Sequence, residues 1–281
     1  MTRVALLANE RSGAGCSPGD LERLLTRFGA AVEVFAIGEM EKASAGRPER
    51  IVVAGGDGSI APVAAAAGRM DVPVALIPSG TANDFARGLG IPEDPTEACE
   101  IAARGIRERT MELGRMDDRP FVNVASAGLA VTAARNALPF KRALGPMAYV
   151  VGALRAGLGA DAVECRLEVD GREVFAGRAW QVIVSSTGRF GAGSSVQEAD
   201  PSDGHLDVTV IEARARHRLI KHAYGLRTGR VADQGGVGHA RGLVLELTVP
   251  DDTAYNVDGE IVTHGSARFS AEHAAFRLVV P

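Results

Sequence analysis

The sequence predicts an α/β N-terminal domain with a parallel sheet, followed by a mostly antiparallel β domain. Three observations carry this reading. Up to about residue 112, short apolar runs alternate with helix-like segments, the pattern of parallel strands joined by helical crossovers. Beyond that point the chain switches to closely spaced strand candidates. Two of the early apolar runs also end in glycine-rich turns that open helices, as at the ligand edge of a parallel sheet.

The elements follow in order. Arg3–Leu7 is a short apolar strand ending in Ala8-Asn9, and a Ser/Gly loop, Arg11–Gly19, comes next. Leu21, Leu24, Leu25 and Phe28 have the i, i+3, i+4, i+7 spacing of one helix face. Val32–Phe35, Ile51–Ala54 and Val72–Ile77 are further strands, and Ile60–Ala67, Thr81–Leu89 and Pro95–Arg104 read as helices. In the second half, Phe121–Ala125, Val163–Val169, Arg172–Trp180, Gln181–Ser185, Leu206–Ile211, Leu243–Val249 and Tyr255–Val257 are strand candidates. Asp170-Gly171 has the composition of a hairpin turn between two of them. Helical blocks at Thr132–Leu158 and near Arg216–Tyr224 interrupt this half, and Phe269–Val280 reads as two strands closing either domain.

Composition excludes several functions. With 281 residues and 46% hydrophobic content, the chain has ample material for a core and is not disordered. Lys+Arg 31 against Asp+Glu 35 leaves a net charge of −4, and aromatics are only 5%, so neither a basic face nor a stacking platform for nucleic acid is expected. The 34 glycines follow no collagen-like period. Cys16, Cys99 and Cys165 are widely spaced without CxxC, which argues against a disulfide framework or a zinc ribbon. The opening apolar run is too short for a signal peptide, and Ala143–Ala160, with Pro146 and Arg155, falls short of a membrane span. A cytoplasmic protein is expected.

The chemistry concentrates in the turns. Ile51–Ala54 runs straight into Gly55-Gly56-Asp57-Gly58-Ser59 and then a helix. Glycines there allow close ligand approach, and N–H groups at a helix start suit phosphate oxygens. Asp57 would repel a bare phosphate, so the combination points to a metal-bound nucleotide; a tight turn with a solvated Asp is the plainer alternative. The next strand ends in Pro78-Ser79-Gly80-Thr81-Ala82-Asn83-Asp84, with further donors at Gly80 and Thr81 and capping residues at Asn83 and Asp84. Asn9, Ser12, Gly13 and Gly15 make a third turn on the same predicted edge. Neither GxxxxGK[ST] nor GxGxxG after the first strand is present, so no P-loop or dinucleotide-binding reading is supported.

GGDGS at 55–59 with IPSGTANDFARGLGIP at 77–92 resembles the diacylglycerol kinase catalytic-domain family, which includes sphingosine kinases and soluble bacterial lipid kinases. ELGRMDDRPFVNVASAG at 112–128, the Asp203-Gly204-His205-Leu206-Asp207 loop and Val257-Asp258-Gly259-Glu260 extend the resemblance over nearly the whole chain. The resemblance implies an NAD kinase/diacylglycerol kinase-like nucleotide domain at 1–115, completed by about 268–281, and an antiparallel β-sandwich-like acceptor domain at 116–267.

It further implies an ATP-dependent lipid kinase acting on a diacylglycerol-like or related lipid, with Mg²⁺. Asn9, Ser12, Gly13, Gly55, Gly56, Asp57, Gly58, Ser59, Gly80, Thr81 and Asn83 would bind ATP, with Asp57 acting through Mg²⁺. Glu260 matches the proposed proton acceptor and Asp258 its companion; two carboxylates at i, i+2 on a strand would share a face, although Asp258-Gly259 alone is equally a hairpin turn. A structural or regulatory metal would map to Asp203, with Asp200 and His205 offering carbonyls. Expected partners are a lipid substrate at a membrane surface, contacted peripherally, and no nucleic acid; a homodimer is allowed.

The match departs at four places. Ser59 stands for Thr, Pro62 for a common Glu, Glu10 for Pro, and residues 186–197 differ from the family's Gly-rich turn. Two alternatives stay open: an NAD- or sugar-type kinase sharing only GGDGS, and a catalytically weak nucleotide- or lipid-binding regulator.

Overall fold

Residues Met1–Leu113 with His273–Pro281 form one unit and Gly114–Glu272 a second in the computed structural model. The structure describes residues 1–9, 16–129, 131, 161–187, 203–215, 219, 222, 225, 230, 231 and 233–281. Several expectations lie outside these residues: those for Ser12, Gly13, Gly15 and Asp200, the helical block Thr132–Leu158 with the stretch Ala143–Ala160, and most of the turn 186–197 and of the block Arg216–Tyr224.

The first unit is the expected parallel α/β layer. Strands β1 (Thr2–Ala8), β2 (Ala30–Ala36), β3 (Arg50–Gly55) and β4 (Val74–Pro78) lie in the order β2-β1-β3-β4. All these pairings are parallel, with Ala8 opposite Ala54 and Gly55 opposite Pro78. The runs VALLA in β1 and IVVA in β3 are buried throughout, as strands covered on both faces must be. Helices α1 (Pro18–Arg27), α2 (Met40–Ala45), α3 (Asp57–Arg69), α4 (Asp84–Gly88) and α5 (Pro95–Arg104) connect them. Leu21 and Leu25 of α1 pack with Ala98, Cys99 and Ala102 of α5.

Local chemistry sets the helix ends. Ser17 opens α1 with a capping box: its hydroxyl accepts from the Asp20 N–H at 3.2 Å while Asp20 accepts from the Ser17 N–H at 2.9 Å. The Ser17 hydrogen bonds lead in lowering the exposed Asp20 carboxyl to about 2. Asp94 caps α5 through the Thr96 and Glu97 N–H groups. At the other end of α5, the buried Arg50 guanidinium donates to the carbonyls of Ala102 at 2.7 Å and Gly105 at 2.8 Å, a cation on a helix C-terminus. Pro62 sits inside α3 on its exposed side, and the helix continues past it.

The second unit is antiparallel. The chain enters it along β5 (Glu108–Met116), followed by β6 (Arg119–Phe121), β7 (Val124–Gly128), β8 (Val163–Val169), β9 (Arg172–Ser185) and β10 (Leu206–Glu212). Then come β11 (Val237–Gly242), β12 (Val244–Thr248), β13 (Ala254–Val257), β14 (Glu260–Thr263) and β15 (Ala267–Val279). Strands pair in the order β14-β13-β7-β9-β8-β12-β15, with β10 on β9 and β11 on β10. The core gathers Phe121, Leu167, Val184, Val208, Leu245, Tyr255 and Phe269. Asp170 (φ 49°) and Gly171 (φ 75°) form the expected hairpin turn, with both residues left-handed as that turn requires. The last residues of β15 return to the first unit, where Leu278 pairs in parallel with Val74.

Four details differ from the sequence reading. Arg172–Ser185 is one strand, because its first half pairs β8 and its second half pairs β7 and β10. Ala267–Val279 is also one strand, carrying Ala274 at φ 50°. The run Phe121–Ala125 is broken between β6 and β7 by the Asp258 carboxylate, described below. Helix α4 starts only at Asp84, not Thr81. Among the described residues no helix is long and apolar enough to cross a membrane. The three cysteines are free, and burial pushes the thiols of Cys99 to about 12 and Cys165 to about 11, so both are inert packing groups.

Arg50→Met strips the α5 terminus of its donors and leaves two carbonyls unpaired. Urea unfolding is expected to show a loss of about 1–3 kcal/mol; an unchanged midpoint would contradict the role given to Arg50.

Candidate active site

The ends of β3 and β4 meet backbone to backbone. The Gly55 carbonyl accepts from the Ser79 N–H at 3.1 Å. A Cβ on Gly80 would stand 2.5 Å from the Gly56 Cα, and one on Gly56 would stand 3.1 Å from the Gly80 Cα. Only glycine at both positions permits this approach. Asp57, the first residue of α3, fastens the two turns: its carboxylate oxygens accept from the Asp84 and Phe85 N–H groups, each at 3.1 Å. It therefore caps α4 from another helix.

Asn83 does not cap α4 with its side chain, as expected from sequence, but adopts a left-handed conformation (φ 51°). Its Oδ1 accepts from the Gly80 N–H at 2.8 Å and its Nδ2 donates to the Gly80 carbonyl at 3.2 Å, which fixes the glycine turn. The Ser79 hydroxyl is buried and has no hydrogen-bond partner. Nothing in the sequence singled it out, beyond its place in the PSGT turn. Since Ala8 pairs with Ala54, Asn9 follows β1 at the same sheet edge as Gly55. Gly58 and Ser59 lie half-buried in the first turn of α3, and Thr81 is exposed. The residues of unit one expected to hold nucleotide, where described, thus gather at one edge.

In the second unit, Asp258 and Glu260 do not share a strand face. Asp258 (φ 46°) and Gly259 (φ 93°) form the turn between β13 and β14, so the i, i+2 expectation is corrected in favour of the hairpin. The Asp258 carboxylate accepts from three consecutive backbone N–H groups: Val122 at 2.6 Å, Asn123 at 3.0 Å and Val124 at 2.9 Å. Its own N–H donates to the Val124 carbonyl at 3.0 Å. A carboxylate so engaged is a clamp on the β6–β7 junction. Glu260, by contrast, is exposed, and its carboxylate is bonded to the Arg119 guanidinium.

The Asp203 loop is closed by protein groups. One carboxylate oxygen of Asp203 accepts from the Arg241 guanidinium and the other from the His205 N–H at 3.0 Å, while His205 Nδ1 lies 2.8 Å from the Asp203 carbonyl. Arg241 supplies positive charge beside Asp203, while Asp200, a member of the expected metal set, lies outside the described residues. Among the described residues no group of three or more His, Cys, Asp or Glu side chains could hold a metal ion.

Comparison with known proteins agrees with the motifs. Residues 3–116 match the diacylglycerol kinase catalytic domain, and residues 123–280 match the YegS C-terminal NAD kinase beta sandwich-like domain. A diacylglycerol kinase of Mycobacterium tuberculosis is 28% identical, over 99% of this chain and 95% of that protein. A YegS-like lipid kinase of Pseudomonas putida is 30% identical, over 82% of this chain and 77% of that protein. Among solved structures, a diacylglycerol kinase from Bacillus anthracis superposes with a TM-score of 0.80 at 19% identity, covering 100% of this chain and 97% of the other. An NAD kinase from Archaeoglobus fulgidus in complex with ATP gives 0.53 at 16% identity, over 99% and 93% of the two chains. At these identities the two structures establish the fold.

The two carboxylates of the β13–β14 turn should separate on substitution. Asp258→Asn sets an amide N–H against backbone N–H groups and is expected to cost about 2–3 kcal/mol of stability in denaturant unfolding. Glu260→Gln, on the surface, is expected to stay within about 0.5 kcal/mol of the parent; equal losses would contradict the division of roles.

Proposed function

The chain belongs to the diacylglycerol kinase catalytic-domain family and is a lipid kinase; on that premise we propose that it transfers the γ-phosphate of ATP to the hydroxyl of a diacylglycerol-like lipid. The observation that carries this reading is the paired glycine turn at Gly56 and Gly80, a seat whose backbone no side chain can occupy.

Phosphoryl transfer asks little covalent chemistry of a protein; it asks for phosphate positioning, charge stabilisation and a base near the acceptor oxygen. Gly56 and Gly58 stand where N–H groups at the start of α3 serve an anion, and Ser59, whose own N–H donates to the Gly56 carbonyl at 2.9 Å, would contribute its hydroxyl. The Ser79 hydroxyl, buried without a partner, fits as a further donor to the same group. Asn9 and Thr81 flank the seat. Asp57 keeps the turns in register through its two backbone hydrogen bonds, and its carboxylate would act through Mg²⁺. When bound, Mg²⁺ spreads the charge of the triphosphate.

Glu260, the residue that the family resemblance gives as proton acceptor, would take the acceptor's proton. It is exposed, it makes no backbone hydrogen bond among the described residues, and Arg119 orients it. Asp258 supports it indirectly, by holding the turn from which Glu260 projects. The acceptor is membrane-held, so the enzyme would work at the membrane surface.

Labelled ATP offered with a lipid panel in mixed micelles tests the proposal. Transfer to a diacylglycerol is expected; transfer only to a soluble acceptor without detergent would support the NAD- or sugar-type alternative instead. Glu260→Gln should lower kcat by about 10²–10⁴-fold with ATP affinity retained. Gly80→Ala should abolish ATP binding in equilibrium titration, because its methyl group has no room.

A further inference from the structure

The hairpin that carries Glu260 has little ladder to hold it. Strands β13 and β14 are four residues each, and among the described residues β14 pairs with β13 alone. The ladder from β13 to β7 ends at Val257 opposite Ala125. Beyond it, the groups that hold the turn and Glu260 come from one short segment, Arg119–Val124. The N–H groups of Val122, Asn123 and Val124 donate to the Asp258 carboxylate, and the Arg119 guanidinium binds Glu260. The place of Glu260 therefore depends on what fixes that segment.

Asn123 is the residue that does so. The ladder between β7 and β9 begins at Val124 opposite Ser185, so Asn123 lies just outside it, yet it is buried. Its N–H serves Asp258 at 3.0 Å. On the opposite side its carbonyl accepts from the Ser186 N–H at 3.0 Å and from the Ser185 hydroxyl at 3.2 Å. Its Oδ1 accepts from the Thr187 hydroxyl at 2.9 Å. One residue thus ties the segment that supports Glu260 to the end of β9, a strand of 14 residues paired with β7, β8 and β10. A buried amide oxygen is costly to leave without a donor, so the side-chain bond to Thr187 sets where Asn123 sits.

We propose that Asn123 and Thr187 are positioning residues of the kinase: they lock the segment Arg119–Val124 to the end of β9 and, through Arg119 and Asp258, fix where Glu260 stands. This rests on the reading of Glu260 as proton acceptor and adds to it the residues that hold the base. A base must be held to within about half an ångström of its working position, and a long, well-paired strand supplies the rigidity that a four-residue hairpin lacks.

The test uses the full chain with ATP and dioctanoylglycerol in mixed micelles. Thr187→Val removes the hydroxyl and is expected to lower kcat about tenfold with the KM for ATP within about twofold of the parent, because a displaced base slows the chemical step. Thr187→Ser, which keeps the hydroxyl, should restore kcat. In a Glu260→Gln background, Thr187→Val should lower kcat by less than about twofold, since residues acting through one group are not additive. The Gly259 and Glu260 amide resonances should shift in Thr187→Val and return in Thr187→Ser, a readout that needs no turnover. Where the valine variant folds poorly, Thr187→Ala is read in the same way. Parental kcat in Thr187→Val beside an impaired Glu260→Gln, or a tenfold loss in both backgrounds, would overturn the proposal. A fully active Glu260→Gln would instead sink the role given to Glu260, and a parent that transfers phosphate to no lipid would sink the proposed function. In both of those cases the amides decide: shifts uphold the lock between Thr187 and the turn, and unmoved resonances overturn it.

Discussion

The contact between Gly56 and Gly80 is the constraint on which this edge of the parallel sheet, and with it the proposed nucleotide seat, depends. Two neighbouring parallel strands end at the same level, and their turns touch through Cα atoms alone. A side chain at either position would separate the turns, and the Asp57 carboxylate could then no longer reach the N–H groups of α4. Ser79 would be released as well, since its N–H holds the Gly55 carbonyl. Glycine here serves proximity rather than flexibility. The same geometry that excludes a methyl group would open the backbone to the phosphate oxygens of the proposed nucleotide.

A second theme is how the chain uses its carboxylates. Asp57, Asp94, Asp170 and Asp258 spend oxygens on backbone N–H groups, and Asp203 divides its oxygens between an N–H and a guanidinium. Each fixes a turn or a helix start. Glu260 differs in being exposed and paired with a single side chain. Partners and burial, rather than residue type, separate the carboxylate proposed for chemistry from those that hold the scaffold.

Much of this was legible in the sequence. The parallel strands announced themselves because strands buried on both faces must be apolar throughout, as VALLA and IVVA are. The glycine turns were legible because GGDGS and SGT follow such strands directly. Other features were hidden for physical reasons. β11 (VGHARG) and β14 (EIVT) are short and partly exposed, so no apolar alternation marks them. The break at Val122–Asn123 depends on an Asp more than a hundred residues away, which local pattern cannot reveal. Asp258 and Glu260 looked like a pair because spacing is visible in sequence while a left-handed turn between strands is not. Asn123 and Thr187 pass unnoticed at strand ends far apart in the chain, and only the fold brings them together.

The central claim is that the paired glycine turns seat the triphosphate. It is tested most directly by following backbone amide resonances of the full chain during titration with ATP. The account predicts that the Gly56, Gly58 and Gly80 amides shift together, with one saturation curve. ATP binding that leaves these three amides unmoved and shifts others would contradict it.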